Sequence, residues 1–228
     1  MVDKYLYPGT NVLINKLNIK DGLKLEKAEY TYVSLNISAI INNPIEIKSL
    51  FDICKIHKLL FGDLYDWAGD YRTINIYKEE PVLSGLSVKY SEYKNIEKDL
   101  KTLDNKFKII EWKDLSHKEI IDEIVKMISS LWRIHCFREG NTRTVTTFLY
   151  ILMKQLNLKV NVKFIGEHAK YFRNALVLAS IDEYSEYEYL ANILMDSISM
   201  KNINENKYKT IRDYEVEKYE YWNHKYDK

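Results

Sequence analysis

The sequence has 228 residues, of which 46% are hydrophobic, with a formal net charge of +1, two cysteines and three prolines. This length and composition suit one globular domain with short extensions, and two cysteines imply no disulfide framework. The balanced charge does not favour a nucleic-acid partner, which requires a basic surface. No apolar run approaches the ~20 residues that cross a bilayer, and the first residues lack the apolar core of a signal peptide. We therefore expect a cytoplasmic protein with no membrane partner.

The chain opens with an N-terminal arm, residues 1–22, which contains a turn signal at Tyr7-Pro8-Gly9-Thr10. Apolar residues at helical spacing then predict a helix from Leu23 to Ile41.

A second, longer helix is predicted from Asn43-Pro44 to Gly69, because asparagine caps a helix and proline suits its first position. His57 lies on the apolar face of this helix. A histidine in such a position is more often a core residue bonded to a backbone carbonyl than a catalyst, and we favour the core interpretation.

Alternating polar and apolar side chains at Tyr71–Tyr77 and at Leu86–Tyr90 predict two strands, and the turn residues Glu80-Pro81 and Ser84-Gly85 lie between them. The two strands would form a small β-hairpin. An isolated hairpin is marginal in water, so we expect it to dock on another part of the protein.

The remaining apolar patterns predict further helices. These lie at Ser91–Phe107, at Ile120–Ile134, from Asn141 or Thr142 to Leu156, after Gly166, and at Asp182–Met200. Residues 201–228 form a charged C-terminal extension, either a surface helix or partly disordered.

The nine residues from His135 to Arg143 connect two helices that should be buried, so their polar side chains need an explanation. Gly140 permits close backbone approach, and the free N–H groups at the N-terminus of the following helix favour an anion such as phosphate. Arg143 can clamp a second phosphate, and Glu139 can hold a hard cation such as magnesium against the phosphate oxygens. His135 can accept a proton from an incoming hydroxyl group.

This stretch resembles the Fic motif, H-x-F-x-[D/E]-G-N-x-R, at every fixed position. The leader Tyr7–Leu13 and the segment His57–Arg72 also resemble bacterial members of that family. The resemblance implies a mainly α, Fic-type helical bundle over residues 23–200, with the hairpin at about residues 72–90 acting as a flap over the active site. It also implies a protein adenylyltransferase, which transfers AMP from ATP to a Ser, Thr or Tyr hydroxyl of a target protein and releases pyrophosphate.

The resemblance further implies roles for single residues. Those implied in catalysis are His135 and Asn141, and Glu139 is implied as the magnesium ligand. Those implied in nucleotide binding are Gly140, Asn141, Thr142, Arg143, Tyr171 and Asn174, the last two near the adenine base. A tyrosine at helical spacing is more often a core residue, so both interpretations of Tyr171 stay open. Those implied in docking the target segment by strand addition are Asn75, Ile76 and Tyr77.

The chain departs from the common family pattern at Cys136, where many members have proline, and at Thr146, where many have a second arginine. The inhibitory pattern [S/T]-x-x-x-E-[G/N], whose glutamate pairs with that arginine, is also absent. We therefore expect no brake of the usual intramolecular kind. Two alternatives stay open: an enzyme that transfers another nucleotide or phosphate-containing group, and a weakly active domain that is the toxin partner of an antitoxin-like protein.

Overall fold

The computed structural model describes residues 3–199, 203, 205–209 and 211. In these residues the α-helices are α1 (Gly22–Asn42), α2 (Asp52–Phe61), α3 (Ile96–Lys108), α4 (His117–Ile134), α5 (Asn141–Gln155), α6 (Val162–Glu167), α7 (Ala169–Leu178) and α8 (Glu188–Ser199). Short 3-10 turns lie at Pro81–Leu83, Tyr93–Asn95, Trp112–Asp114, Asp182–Tyr184 and Glu205–Tyr208. The mainly α fold class is therefore confirmed. No described helix combines the length and the apolar character that crossing a bilayer requires.

The first of two compact units comprises Met1–Asn75, Ser91–Ile110 and Ile134–Asn157. Within it, α1, α2 and α5 pack on one another. Helix α1 begins where the Asp21 carboxylate accepts a hydrogen bond from the main-chain N–H of Lys24 at 3.0 Å, which satisfies one free donor of the first turn. The buried core of this unit includes Leu25, Val33, Ile53, Ile56, Leu60, Val145, Phe148 and Leu149.

The N-terminal arm of this unit folds back at the predicted turn. Leu6 and Leu13 form an isolated antiparallel bridge, and Gly9 reverses the chain with a φ of 74°. Beyond the turn, the main-chain N–H of Lys16 donates to the carbonyl oxygen of Leu64 at 2.8 Å. The arm is thus packed on the unit.

The second helix, predicted from Asn43-Pro44 to Gly69, is shorter than expected, because α2 has only 10 residues. The side-chain amide of Gln155 holds both main-chain groups of Ile47, accepting from its N–H at 2.9 Å and donating to its carbonyl at 3.0 Å. These bonds to a distant part of the chain hold the segment before α2 in a non-helical conformation. Tertiary contacts here override the local capping signal.

The second compact unit comprises Ile76–Tyr90, Glu111–Arg133 and Leu158–Lys228. Within it, α6, α7 and α8 contact one another. Helix α4 begins at a capping box, in which the Glu119 carboxylate accepts from the N–H of Ser116 at 2.8 Å and from its hydroxyl at 2.7 Å. The buried core of this unit includes Ile121, Ile124, Leu131, Trp132, Phe172, Leu176, Leu190 and Ile193.

The flap segment, residues 72–90, is a loop rather than the predicted hairpin. In the described part of the chain, neither Tyr71–Tyr77 nor Leu86–Tyr90 belongs to a β ladder. The tip, Pro81–Leu83, forms a 3-10 turn that contacts α7 and buries Val82 and Leu83. Because the apolar tip is held against a helix, the strand pattern does not develop into a free-standing hairpin.

Glu80 fixes this tip. Its N–H donates to the carbonyl of Leu86 at 3.0 Å, which closes the turn. Its carboxylate is fully buried and accepts from two nitrogens of Arg173, on α7, at 2.5 and 3.1 Å. The hydroxyl of Tyr90 donates to the same carboxylate at 3.2 Å.

Two helices begin later than predicted, α3 at Ile96 rather than Ser91 and α8 at Glu188 rather than Asp182. A 3-10 turn precedes the α-helix in both cases. Most of the predicted extension, residues 201–228, lies outside the described residues. The division into arm, domain and extension stays a prediction.

Candidate active site

The motif loop, residues 135–143, joins α4 to α5 through two residues with left-handed backbone. His135 has a φ of 52° and Gly140 has a φ of 79°. A positive φ is uncommon for a residue that carries a Cβ, so the surrounding contacts must hold His135 in this conformation. The His135 side chain is buried, with 2% of its surface exposed.

Arg72 supplies part of that restraint. Its Nε donates to the carbonyl of His135 at 2.8 Å, and its main-chain N–H donates to the carbonyl of Cys136 at 2.8 Å. The remaining guanidinium nitrogens donate to the carbonyls of Ile74 and Ser91. A buried guanidinium that satisfies so many carbonyls is costly to remove, so Arg72 fixes the backbone of the candidate base.

Asn141, the first residue of α5, holds the middle of the loop. Its side-chain oxygen accepts from the N–H of Phe137 at 2.9 Å, and its side-chain nitrogen donates to the carbonyl of Phe137 at 2.7 Å. This side chain is therefore engaged with the loop itself, and the catalytic role expected of Asn141 stays a prediction. The first turn of α5, with its N–H groups and the positive end of its dipole, lies within the loop.

His57 anchors the loop from α2. The N–H of Gly69 donates to its Nδ1 at 2.8 Å, so Nδ1 is the acceptor and Nε2 carries the proton. That Nε2 donates to the carbonyl of Glu139 at 3.1 Å, and the imidazole stacks on the buried ring of Phe137, with centroids 3.8 Å apart. Burial lowers the pKa of His57 to about 4. The core interpretation of His57 is thus confirmed.

Phe61 explains why the motif has glycine at position 140. A Cβ added to Gly140 would lie 2.3 Å from Cζ of Phe61 and 2.5 Å from its Cε2, closer than any side-chain contact allows. The face of the same ring carries the guanidinium of Arg143, whose Cζ is 4.9 Å from the ring centroid.

Arg138, which has no fixed identity in the motif, ties the loop to the N-terminal arm. Its Nε and Nη2 donate to one carboxylate oxygen of Asp3 at 2.9 and 2.7 Å. Both side chains are mostly buried, at 17% and 21% exposed. The arm is therefore part of the support of the loop.

Glu139 and Arg143 are the charged groups expected to hold a cation and a phosphate. Arg143 Nη2 lies 3.8 Å from Oε1 of Glu139 and makes a closer contact to Glu29, on α1. The Glu139 carboxylate accepts from the N–H of Gly140 at 2.9 Å. No group of three or more His, Cys, Asp or Glu side chains among the described residues can hold a metal ion. Glu139, 30% exposed, fits a cation held by one carboxylate together with substrate phosphates, as magnesium commonly is.

The flap residues predicted to dock a target lie in a segment without helix or strand. Asn75 is exposed, Ile76 is half-buried and Tyr77 is 67% exposed, the alternation typical of a strand edge. The side-chain oxygen of Asn75 accepts from the N–H of Tyr93 at 2.9 Å. Within the described residues, Ile76 and Tyr77 make no main-chain to main-chain hydrogen bond.

The residues predicted to lie near the adenine base are on α7. Tyr171 is 7% exposed, and its ring packs edge-on against Tyr208, with centroids 4.9 Å apart. Burial raises the pKa of Tyr171 to about 12. This geometry favours the core interpretation that the sequence left open. Asn174 is half-buried, and its contact with a base stays a prediction.

Sequence reasoning missed Glu29, Phe61 and Asp3 as parts of the site. For Glu29 a signal was present: Leu25, Glu29 and Val33 are spaced by four residues, which puts a carboxylate on the buried face of α1. An acid on an apolar face requires a partner. For Asp3 we find no comparable signal, because its partner is 135 residues away.

Comparisons with known proteins agree with the motif. Residues 48–153 match the family model of the Fic/DOC family. The chain is 28% identical over 205 residues to the protein adenylyltransferase VbhT of Bartonella schoenbuchensis, a match that covers 89% of this chain and 39% of that protein. It is 31% identical over 158 residues to the probable protein adenylyltransferase y4lH of Sinorhizobium fredii, covering 67% of this chain and 76% of that protein.

The fold also matches solved structures. The crystal structure of BepC, a VirB-translocated effector protein of Bartonella tribocorum with bound AMPPNP, superposes with a TM-score of 0.67 at 23% identity and covers 85% of this chain and 95% of that one. This protein has a mainly helical fold and an H-x-F-x-E-G-N-x-R loop at the N-terminus of α5. These two features together define the class of protein to which it belongs. The chain belongs to the Fic/DOC family. It spans 39% of the length of VbhT, so it corresponds to a part of that relative.

Proposed function

We propose that this protein transfers AMP from ATP to a Ser, Thr or Tyr hydroxyl of a target protein, which can include itself. The observation that carries the proposal is the motif loop, in which the residues of the chemistry are held by buried contacts. His135 accepts the proton of the target hydroxyl, whose oxygen attacks the α-phosphorus of ATP. The bond from that phosphorus to the oxygen bridging the β-phosphate breaks, and pyrophosphate leaves.

The other loop residues hold the nucleotide. The N–H groups of the first turn of α5, at Asn141, Thr142 and Arg143, provide a site for a phosphate, with Gly140 allowing close approach. Arg143 contacts a second phosphate through its guanidinium. Glu139 would hold Mg2+, which neutralises negative charge on the departing pyrophosphate. On α7, Asn174 is the polar side chain that we propose for the base.

We propose that the target segment docks along Asn75, Ile76 and Tyr77. The support for this is their alternating exposure and the absence of main-chain pairing at Ile76 and Tyr77 in the described residues. Strand addition on such an edge uses mainly main-chain hydrogen bonds, so the side chains of the target need not be specified. The names of the relatives support the reaction, and the AMPPNP bound to BepC supports ATP as the donor.

The test is transfer of a labelled nucleotide. The purified chain, Mg2+ and a bacterial lysate are incubated with ATP labelled on the α-phosphate, with a parallel reaction labelled on the γ-phosphate. AMP transfer labels protein only from the α-position, and the His135→Asn variant should abolish it. Labelling from the γ-phosphate that disappears in the His135→Asn variant would contradict AMP transfer, whereas γ-labelling that persists in that variant comes from kinases of the lysate.

A second candidate is transfer of a different nucleotide or phosphate-containing group. The observation that favours it is Thr146, half-buried on α5, which offers no positive charge to a terminal phosphate. Competition of the labelling by unlabelled CTP, GTP and UTP decides between them, because only the true donor competes at low concentration. Restraint by an antitoxin-like protein stays a prediction, which co-purification of the chain with such a partner would support.

A further inference from the structure

Arg143 is held by a carboxylate that does not belong to the motif loop. Its Nη2 donates to Oε1 of Glu29, on α1, and the two side chains are 35% and 13% exposed. The second oxygen of the same carboxylate, Oε2, accepts from the hydroxyl of Tyr65, which is 1% exposed. Glu29 is thus hydrogen-bonded at both of its oxygens.

Phe61 completes the restraint on Arg143. Its ring is fully buried and lies 4.9 Å from the guanidinium carbon, so one face of the guanidinium is covered. Among the described residues, Nε and Nη1 of Arg143 have no hydrogen-bond partner. An arginine fixed on one face and at one nitrogen therefore keeps donors for a ligand with a planar or tetrahedral set of oxygens.

Arginine has many rotamers, and ordering such a side chain on binding costs free energy. A carboxylate that is already ordered removes part of that cost, because it holds the guanidinium in place before the ligand arrives. Tyr65 belongs to the buried core, so it fixes the position of Glu29. Burial, together with the neighbouring Glu29 charge, raises the pKa of Tyr65, which keeps its hydroxyl a donor to that carboxylate.

We propose that Glu29 is a positioning residue that acts through Arg143 to orient the guanidinium for the polyphosphate of ATP. This proposal rests on the proposed function to the extent that Arg143 contacts a polyphosphate. It differs from a competing role, in which Glu29 would occupy the phosphate position and have to leave. A carboxylate that is hydrogen-bonded at both oxygens and only 13% exposed is not readily displaced, so Glu29 should keep its position when the ligand binds.

The experiment compares affinities for ligands that differ only in their phosphates. The dissociation constants of α,β-methylene-ATP, whose α–β linkage resists cleavage, and of AMP are measured by calorimetry with Mg2+ present. Glu29→Ala should raise the constant for the ATP analogue about tenfold, the size expected when a disordered guanidinium no longer makes one charge-assisted hydrogen bond. AMP, which needs only the helix N-terminus, should change much less.

Three variants complete the design. Glu29→Gln keeps an acceptor for Arg143 and should restore most of the affinity. Tyr65→Phe removes only the hydroxyl that holds Glu29. It should raise the ratio of the two dissociation constants, that of the ATP analogue divided by that of AMP, by about threefold. The matched control is Glu26→Ala, an exposed acid one turn earlier on α1, which should leave the ratio unchanged. Thermal melts identify the variants that fold.

The proposal is overturned if folded Glu29→Ala or Tyr65→Phe keeps the wild-type ratio, or if either binds the ATP analogue more tightly, as a competing carboxylate requires. These outcomes are independent of the transfer assay. A chain that shows the shifted ratio but labels no protein would refute the proposed function and leave the role of Glu29 intact. A chain that labels protein, but whose variants show an unchanged ratio, would support the proposed function and refute the role of Glu29.

Discussion

The imidazole of His57 donates a hydrogen bond from Nε2 to the carbonyl oxygen of Glu139 at 3.1 Å. The bond joins α2 to the motif loop, and the main-chain N–H of Gly69 completes it by donating to the other ring nitrogen at 2.8 Å. This arrangement exists only for the neutral imidazole, since a charged ring has no acceptor nitrogen. The geometry of the loop therefore depends on the protonation of a residue that takes no part in the proposed chemistry.

The first prediction concerns the pH dependence of stability. Burial lowers the pKa of His57 from 6.5 to about 4, so between these values the unfolded chain binds more protons than the folded one. The contribution of His57 is complete above pH 6.5 and is lost as the pH falls towards 4, by about 3 kcal/mol at most. Urea denaturation of the wild type and of His57→Gln at several pH values measures the difference in slope.

The control for that experiment is His117→Gln, because His117 is exposed at the start of α4. Its slope should equal that of the wild type. If His57→Gln does not fold, NMR titration of the imidazole serves instead. A His57 ring that titrates near 6.5, its ordinary value, would contradict the burial argument.

The second prediction concerns Gly140. Alanine at this position places its Cβ 2.3 Å from Cζ of Phe61 and requires a φ of 79°. We expect Gly140→Ala to lower the free energy of unfolding by about 3 kcal/mol, because overpacking costs ~1–3 kcal/mol and a left-handed backbone costs ~1–2 kcal/mol. The matched control is Gly85→Ala, which has a φ of 94° but open space around the new Cβ, and should lose about 1 kcal/mol. If chemical denaturation gives equal losses of unfolding free energy for the two variants, the Phe61 ring moves aside for the new Cβ and the steric argument is wrong.

The third prediction concerns His135. His135→Asn should lower the rate of protein labelling by about 10^2- to 10^4-fold, as the loss of a general base does. Asparagine is chosen because it tolerates the φ of 52° better than alanine. The melting temperature should stay close to that of the wild type, and His117→Asn should label normally. Wild-type labelling by folded His135→Asn would remove the assignment.

The fourth prediction concerns the cation. Excess EDTA should stop labelling, and added Mg2+ should restore it. Glu139→Gln keeps an acceptor for the N–H of Gly140 but loses the charge that attracts the cation, so it should need about tenfold or more additional Mg2+ for half-maximal labelling. The exposed residue Glu26 provides the control, as Glu26→Gln should show the wild-type requirement. An unchanged requirement in Glu139→Gln would exclude the role.

The fifth prediction concerns the buried pair beneath the flap tip. Glu80 is fully buried and bonded to Arg173, so Glu80→Ala leaves a guanidinium without its counter-charge and should cost about 3 kcal/mol. Replacing both residues by methionine should cost less than either single change. The exposed pair Lys163–Glu167, 3.7 Å apart, is the control, and Glu167→Ala should cost under about 0.5 kcal/mol. A small effect of Glu80→Ala on stability would contradict the anchoring of the tip.

The motif loop was predictable from the sequence because its residues are local. The helix that follows it begins at Asn141, within the predicted bounds, and His57 occupies the core position expected of it, stacked on Phe137. Fixed residues within nine positions of one another produce a pattern that needs no knowledge of the rest of the chain. The burial of the two helices that flank the loop follows from the hydrophobic periodicity of their sequences.

The supports of the loop were not predictable in the same way. Arg72, Asp3 and Glu29 reach it from other elements, and nothing in the local sequence specifies those pairings. The predicted start of the second helix, at Asn43-Pro44, was wrong for the same reason, since the amide of Gln155 decides the conformation at Ile47. The flap kept its strand-like alternation but formed no ladder, because burial of Val82 and Leu83 determines where the tip lies.

The contact between Asp3 and Arg138 bears on how this protein should be handled. An affinity tag, protease scar or fusion partner joined close to Asp3 would lie near a side chain that contacts the motif loop. A charged scar there can compete for the guanidinium of Arg138 and shift the loop. A labelling rate measured on such a fusion would then describe the tag as much as the protein. Comparing N-terminally and C-terminally tagged preparations is therefore the first control for every assay above.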